Sequence, residues 1–81
     1  MLRTRRSPRH MRLQQLLVSA RAAAGLSQQE VAKQLRQPQS FVSRYETGER
    51  RLDVIELMEV TDVLGCDPRK ILGELNRVRQ R

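Results

Sequence analysis

The sequence predicts an all-α domain of five short helices, and three observations carry that expectation. Apolar residues recur at intervals of three and four along most of the chain, while β-branched alternation is nowhere sustained. Ser, Asp and Gly stand where helices would start and stop. Phe41 and Tyr45 are the only aromatic residues, so the core has to be aliphatic, which suits packed helices better than a sheet. The 81 residues make one domain, just above the size at which a core without staples becomes marginal.

Residues 1–11 lack periodicity and hold four arginines, which gives a basic N-terminal arm. A disordered terminus is the simpler reading, and a phosphate or minor-groove contact is the alternative. The first helix is expected from about Arg12 to Ala24. Leu13, Leu16, Leu17 and Ala20 form its apolar stripe, Ala23 and Ala24 close it, and Gly25 stops it. Leu26-Ser27-Gln28-Gln29-Glu30-Val31 is a strong start signal. Ser27 can cap the amide of Glu30, Glu30 can reach back to Ser27, and Leu26 can staple onto Val31. The second helix then runs to about Leu35, with Val31, Ala32 and Leu35 facing inward.

Pro38 ends that pattern, because proline is tolerated only in the first turn of whatever follows. A third helix begins at Pro38 or Gln39 and ends near Thr47, with Gly48 as its stop. Val42 and Tyr45 are spaced to bury on its inner face, while Gln39, Ser40, Ser43 and Arg44 share the other. Asp53 and Glu56 repeat the start logic for a fourth helix, whose inner stripe is read as Leu57, Met58, Thr61 and Leu64, ending at Gly65. Asp67-Pro68 opens a fifth, as cap and first position. It carries Ile71, Leu72, Leu75 and Val78, so the folded domain spans 12–78 and 79–81 is a frayed basic end.

Charge is segregated along the chain, whose net value is +7. Residues 1–52 carry eleven Lys/Arg against Glu30, Glu46 and Glu49, a balance of +8. Residues 53–67 carry five acids and no base, giving −5, and 68–81 return to +4. Such segregation points to one face for a polyanion and another turned away from it, where a uniformly basic chain would be only a solvated surface.

Two helices joined by a three- to four-residue turn can serve as a helix-turn-helix, in which the second enters the major groove of DNA. The arrangement alone is unspecific, but the residues within it are not. Leu26-Ser-Gln-x-Glu-x-Ala-x-x-Leu35 followed by Gln39-Ser-x-Val-Ser-Arg-x-Glu46-x-Gly48 resembles the phage repressor and Cro-like (Xre) family of helix-turn-helix domains. The resemblance covers roughly residues 12–75 and implies a five-helix, lambda-repressor-like fold. It further implies that Gln28 hydrogen-bonds a phosphate, that Gln39, Ser40 and Arg44 face bases, and that Ser43 touches bases or backbone. The loop carrying Arg50 and Arg51 would lie along the sugar-phosphate backbone, and Arg21 and Glu46 would pair in a partly buried salt bridge. Many relatives have Gly where this chain has Arg36 and Ser or Thr where it has Pro38. Pro38 removes a side-chain cap that could also touch phosphate, and Arg36 is a candidate to replace that contact electrostatically.

The chemistry of these side chains agrees with such a role. Gln can pair bidentately with adenine and Arg with guanine, each contributing about 1–3 kcal/mol of discrimination. Adjacent arginines in a loop can neutralise phosphates without distorting a helix. Enzyme readings fare badly, so no catalytic activity, metal or cofactor is expected. His10 is the only histidine, no glycine loop could cradle a phosphate, and Cys66 reads as a small packed side chain. One cysteine allows no internal disulfide, which with the absence of a spanning apolar run suggests a reducing, cytoplasmic setting.

The expected function is sequence-specific binding of double-stranded DNA by a bacterial or phage transcriptional regulator, with repression as its expected role. One reading helix covers about half a turn of groove, so a homodimer on a palindromic operator is expected. With the sequence filled by one domain, Met58, Leu72, Leu75 and Val78 are the candidates for the dimer interface, although intramolecular packing would explain them equally. No membrane or small-molecule partner is indicated. An antitoxin or restriction-modification controller of the same fold, or an adaptor that has lost DNA binding, are the alternative roles.

Overall fold

The structure, a computed structural model, describes residues 7–79. Positions 1–6 of the expected arm and 80–81 of the expected frayed end lie outside the described residues. Five helices follow one another, α1 (Pro8–Ala24), α2 (Gln28–Leu35), α3 (Gln39–Thr47), α4 (Val54–Leu64) and α5 (Pro68–Asn76), and there is no strand among the described residues.

The first helix departs from the expected boundary, beginning at Pro8 rather than Arg12. Ser7 is its cap, with the His10 amide donating to Ser7 Oγ at 3.1 Å, and Pro8 takes the first position, where its missing N–H costs nothing. His10, read as part of the arm, is buried at 6% exposure. A polar residue on the inner face hid this extra turn from an apolar pattern. At the other end Ala23 and Ala24 are exposed, so the stripe closes at Ala20.

Helices α2 and α4 each start with a complete capping box. Ser27 N–H donates to Glu30 Oε1 at 2.8 Å and Glu30 N–H returns to Ser27 Oγ at 3.1 Å. In α4 the corresponding bonds join Asp53 and Glu56 at 2.9 and 2.7 Å. Each cap contributes about 1 kcal/mol. α5 opens on Asp67, whose Oδ1 accepts the Arg69 amide at 2.9 Å. α3 is the exception, for Pro38 provides no side-chain cap.

The core is a single aliphatic cluster. Leu17 of α1, Val31 and Ala32 of α2, Val42 and Tyr45 of α3, and Leu57, Val60 and Leu64 of α4 are all buried in it. Burying each large aliphatic side chain contributes about 1.5–3 kcal/mol. Two assignments in the last helices are corrected. Met58 is half-exposed, and the inner stripe of α4 is Leu57, Val60, Thr61 and Leu64. Val78 lies beyond α5, which ends at Asn76.

α2 packs mainly on α3 and α4, while α1 braces α3 on one side and α5 on the other. The α1–α3 approach is tight at Gly48, which ends α3 with φ of 86°. A β-carbon there would lie 2.9 Å from the Gln14 amide nitrogen, which itself donates to the Glu46 carbonyl at 3.2 Å. Glycine is thus favoured by the left-handed backbone, and any β-carbon would also have to displace the Gln14 side chain from this bond.

Candidate nucleic-acid interface

α2 and α3 form a helical hairpin joined through a three-residue turn at 36–38. Because Val42 and Tyr45 anchor one side of α3 in the core, the opposite side is turned outward. Gln39, Ser40 and Arg44 are exposed on it, and Ser43 is half-buried at its edge. Gln28 sits at the start of α2, half-buried beside them.

A hydrogen-bonded chain orients these side chains. Arg21 of α1 grips Glu46 of α3 with two donors, Nε to Oε2 at 2.7 Å and Nη2 to Oε1 at 3.1 Å, and its Nη1 donates to the Leu26 carbonyl at 3.0 Å. The Glu46 side chain is only 5% exposed. Its hydrogen bond raises the Arg21 guanidinium above the ordinary arginine range, so this cation is permanent. Gln28 Nε2 also donates to Glu46 Oε1, at 2.9 Å, and Gln28 Oε1 accepts from Gln39 Nε2 at 3.2 Å. The relay runs from α1 through the carboxylate to the first residue of α3. Gln39 uses one amide hydrogen in it. Its carbonyl oxygen and second N–H are the acceptor and donor that an adenine edge requires.

The loop after α3 is braced as well. Arg50 donates to both oxygens of Glu56, at 3.0 and 2.9 Å, and to the Arg51 carbonyl at 3.0 Å. Its guanidinium also lies 4.8 Å from the centre of the Phe41 ring. Those bonds hold the Glu56 carboxyl below the usual carboxylate range, Arg50 being the larger cause and the Asp53 amide the next. Arg50 therefore has a structural role that its sequence context did not reveal, joining α3 to α4. Arg51 is exposed beside it. Arg44 has a looser neighbour, Glu49 at 3.7 Å, and both of these side chains are mostly exposed. An exposed pair of that length contributes little and leaves Arg44 available. Gln37, Pro38, Ser40, Phe41, Arg44, Arg50 and Glu56 line a shallow cleft of about 220 Å³ along this edge.

Several of these partners carry no clear sequence signal. Gln14 falls outside the apolar stripe of α1, and nothing in the residue order pairs Phe41 with Arg50. Glu56 was legible as a capping residue, and its second duty towards Arg50 crosses a loop where no periodicity applies. The expected interface residues are divided: Met58 and Leu72 are half-exposed, while Leu75 and Val78 are partly buried. Val54 and Ile55, both 60% exposed, lie near Met58 on the outer side of α4 and were not singled out. Cys66 packs partly against the core, and burial pushes its thiol up, away from nucleophilic use. Among the described residues no group of three His, Cys, Asp or Glu side chains could hold a metal, and no helix is long and apolar enough to cross a membrane.

A five-helix domain whose second and third helices present a polar, arginine-bearing face through an anchored hairpin is a helix-turn-helix domain. The family model described as Helix-turn-helix matches residues 17–71. A solved structure, an XRE-family like protein from Pseudomonas syringae pv. tomato str. DC3000, is 50% identical over 84% of this chain and 83% of that one, with a TM-score of 0.80. No curated protein matches. The chain belongs to the Xre family of helix-turn-helix proteins, a family of DNA-binding transcription regulators.

Proposed function

We propose that this domain represses transcription by binding a specific duplex sequence through α3 as a homodimer. The observation that carries the reading is the relay Arg21–Glu46–Gln28–Gln39, which fixes a reading side chain on an otherwise exposed face. In this reading Gln39, Ser40 and Arg44 meet base edges, and Ser43 meets a base or the backbone. Gln28 meets a phosphate from the start of α2. Arg51 and the outer edge of Arg50, whose side chain remains 42% exposed, lie along the phosphates.

The second copy is recruited through the outer side of α4 with α5. Val54, Ile55 and Met58 of α4 and Leu72 of α5 are exposed apolar side chains, while Leu75 and Val78 are partly buried. A two-fold dimer would set the two α3 helices on half-sites about 34 Å apart, or a multiple of that. Selection of bound fragments from random duplex DNA, with size-exclusion chromatography of the free protein, tests both parts. The expected result is a palindromic consensus and a dimeric elution. No enrichment would sink the DNA-binding reading, and a monomer selecting a single half-site would sink the dimer.

A further inference from the structure

We propose that the dimer crosses its helices, α4 of one copy running antiparallel to α5 of the second, with Asp62 facing Arg69 and Met58 seated on Gly73; the inference rests on the dimer reading above. Each helix turns one stripe to solvent at the i, i+3, i+4, i+7 spacing of a single helix face. On α4 it is Ile55, Met58, Glu59 and Asp62, and on α5 it is Arg69, Leu72, Gly73 and Asn76, all of them exposed. Run antiparallel, the stripes fall into register. Asp62 meets Arg69, Met58 meets Gly73, and Glu59 lies a turn away from the same arginine. Run parallel, they would set Arg69 against Ile55 and leave Asp62 without a base.

The charges on these stripes run against their own helices. Asp62 stands in the last turn of α4, at the negative end of that helix, and no base accompanies it there. Arg69 and Lys70 stand in the first turn of α5, at its positive end, where no acid follows the Asp67 cap. Arg69 does lie 3.1 Å from Asp67, but its side chain is 89% exposed. Among the described residues the side chains of Glu59, Asp62 and Lys70 have no hydrogen-bond or ion-pair partner. An acid and a base, each at the unfavourable end of its helix, are both relieved when they meet across copies. Two α4 helices would bring acids onto acids, and two α5 helices bases onto bases, so the crossed pairing is the complementary one. Gly73 adds a steric argument. Glycine weakens a helix interior relative to alanine, and a β-carbon at Gly73 would meet nothing within 4 Å, so packing within one copy does not call for it. The bare backbone leaves room for Met58 of the second copy.

Sedimentation of the full chain tests the pairing with Asp62→Arg and Arg69→Glu, alone and mixed. Each substitution places a charge that its own helix favours, so helix content by circular dichroism should hold. Alone, each sets like charges together at both symmetric contacts, and its dimer dissociation constant should rise about tenfold or more. Gly73→Leu, which fills the seat of Met58, should weaken the dimer to a similar degree. Mixed in equal amounts, Asp62→Arg and Arg69→Glu regain opposite charges at both contacts and should form a heterodimer of wild-type strength. Recovery on mixing cannot come from contacts within one copy or from a folding defect. Single variants that dimerise as wild type does, or a mixture that stays monomeric, would overturn the pairing and leave a dimer through another face. A monomeric wild type would overturn the dimer reading and the pairing together.

Discussion

The side-chain amide of Gln28 donates to Oε1 of Glu46 at 2.9 Å, tying the first residue of α2 to a carboxylate near the end of α3. Glu46 is held from its other side by Arg21 of α1. The angle between the two helices of the hairpin, and the setting of Gln39, therefore depend on one nearly buried carboxylate that three donors share.

Replacing that carboxylate tests the arrangement. Glu46→Gln keeps the shape but turns one acceptor into a donor, facing either Arg21 or Gln28. A loss of about 2 kcal/mol in denaturant-derived stability is expected, since hydrogen bonds to a charged group are the stronger kind and Arg21 would lose its partner. Gln28→Ala should leave stability within about 0.5 kcal/mol, as expected for a partly exposed side chain. It should nevertheless reduce discrimination at the base read by Gln39. Equal stability losses for the two variants would contradict this division of roles.

Tyr45 gives a prediction of opposite sign. Its ring is 2% exposed and packs edge-on against Phe41, with centroids 5.6 Å apart, and its hydroxyl has no hydrogen-bond partner among the described residues. Tyr45→Phe should raise stability by about 1 kcal/mol by removing an unsatisfied buried group. Burial, the main cause, pushes the phenol up to about 12, with Glu46 adding to the effect. The folded value lies above that of the unfolded chain, so this group leaves wild-type stability unchanged with pH below about pH 10 and lowers it as pH rises from there towards 12. Alkaline unfolding followed by circular dichroism should show the extra loss in wild type and its absence in Tyr45→Phe.

Arg50 and Arg51 should separate although they are adjacent. Arg51→Ala is expected to shallow the salt slope by about one unit. Arg50→Ala should lower the melting temperature as well, because it releases Glu56 and uncovers Phe41. The Glu56 carboxyl sits below its ordinary value, so the Arg50–Glu56 contribution is present above the usual carboxylate range and is lost as pH falls through the depressed value. Differential scanning calorimetry between pH 7 and 3 should show a smaller acid loss in Arg50→Ala than in wild type.

Much of this architecture could be read from residue order because its signals are local. Ser27 with Glu30, Asp53 with Glu56, and Asp67 with the Arg69 amide just past Pro68 mark helix starts through bonds spanning two or three residues. The same kind of signal stands at Ser7-Pro8, but His10 breaks the apolar stripe there, although tertiary packing buries it. Val60 takes the inner position expected of Met58 for a related reason. On a short helix with apolar residues on several sides, only the neighbouring helices decide which face is inner. The exposed face of α3 was legible, since Val42 and Tyr45 fix what lies opposite. The Gln28–Glu46 and Arg50–Glu56 bonds were not, because each joins separate helices or spans a loop.

The central claim is that the outward face of α3 reads sequence, and Arg44 tests it most directly. Wild type and Arg44→Ala would be titrated, at one fixed salt concentration, against the selected duplex and all of its single-base variants. Arg44→Ala is expected to abolish preference at one base pair in each half-site, a loss of about 1–3 kcal/mol of discrimination, while preferences elsewhere persist. An unchanged preference at every position, or a uniform weakening across all variants, would contradict the claim.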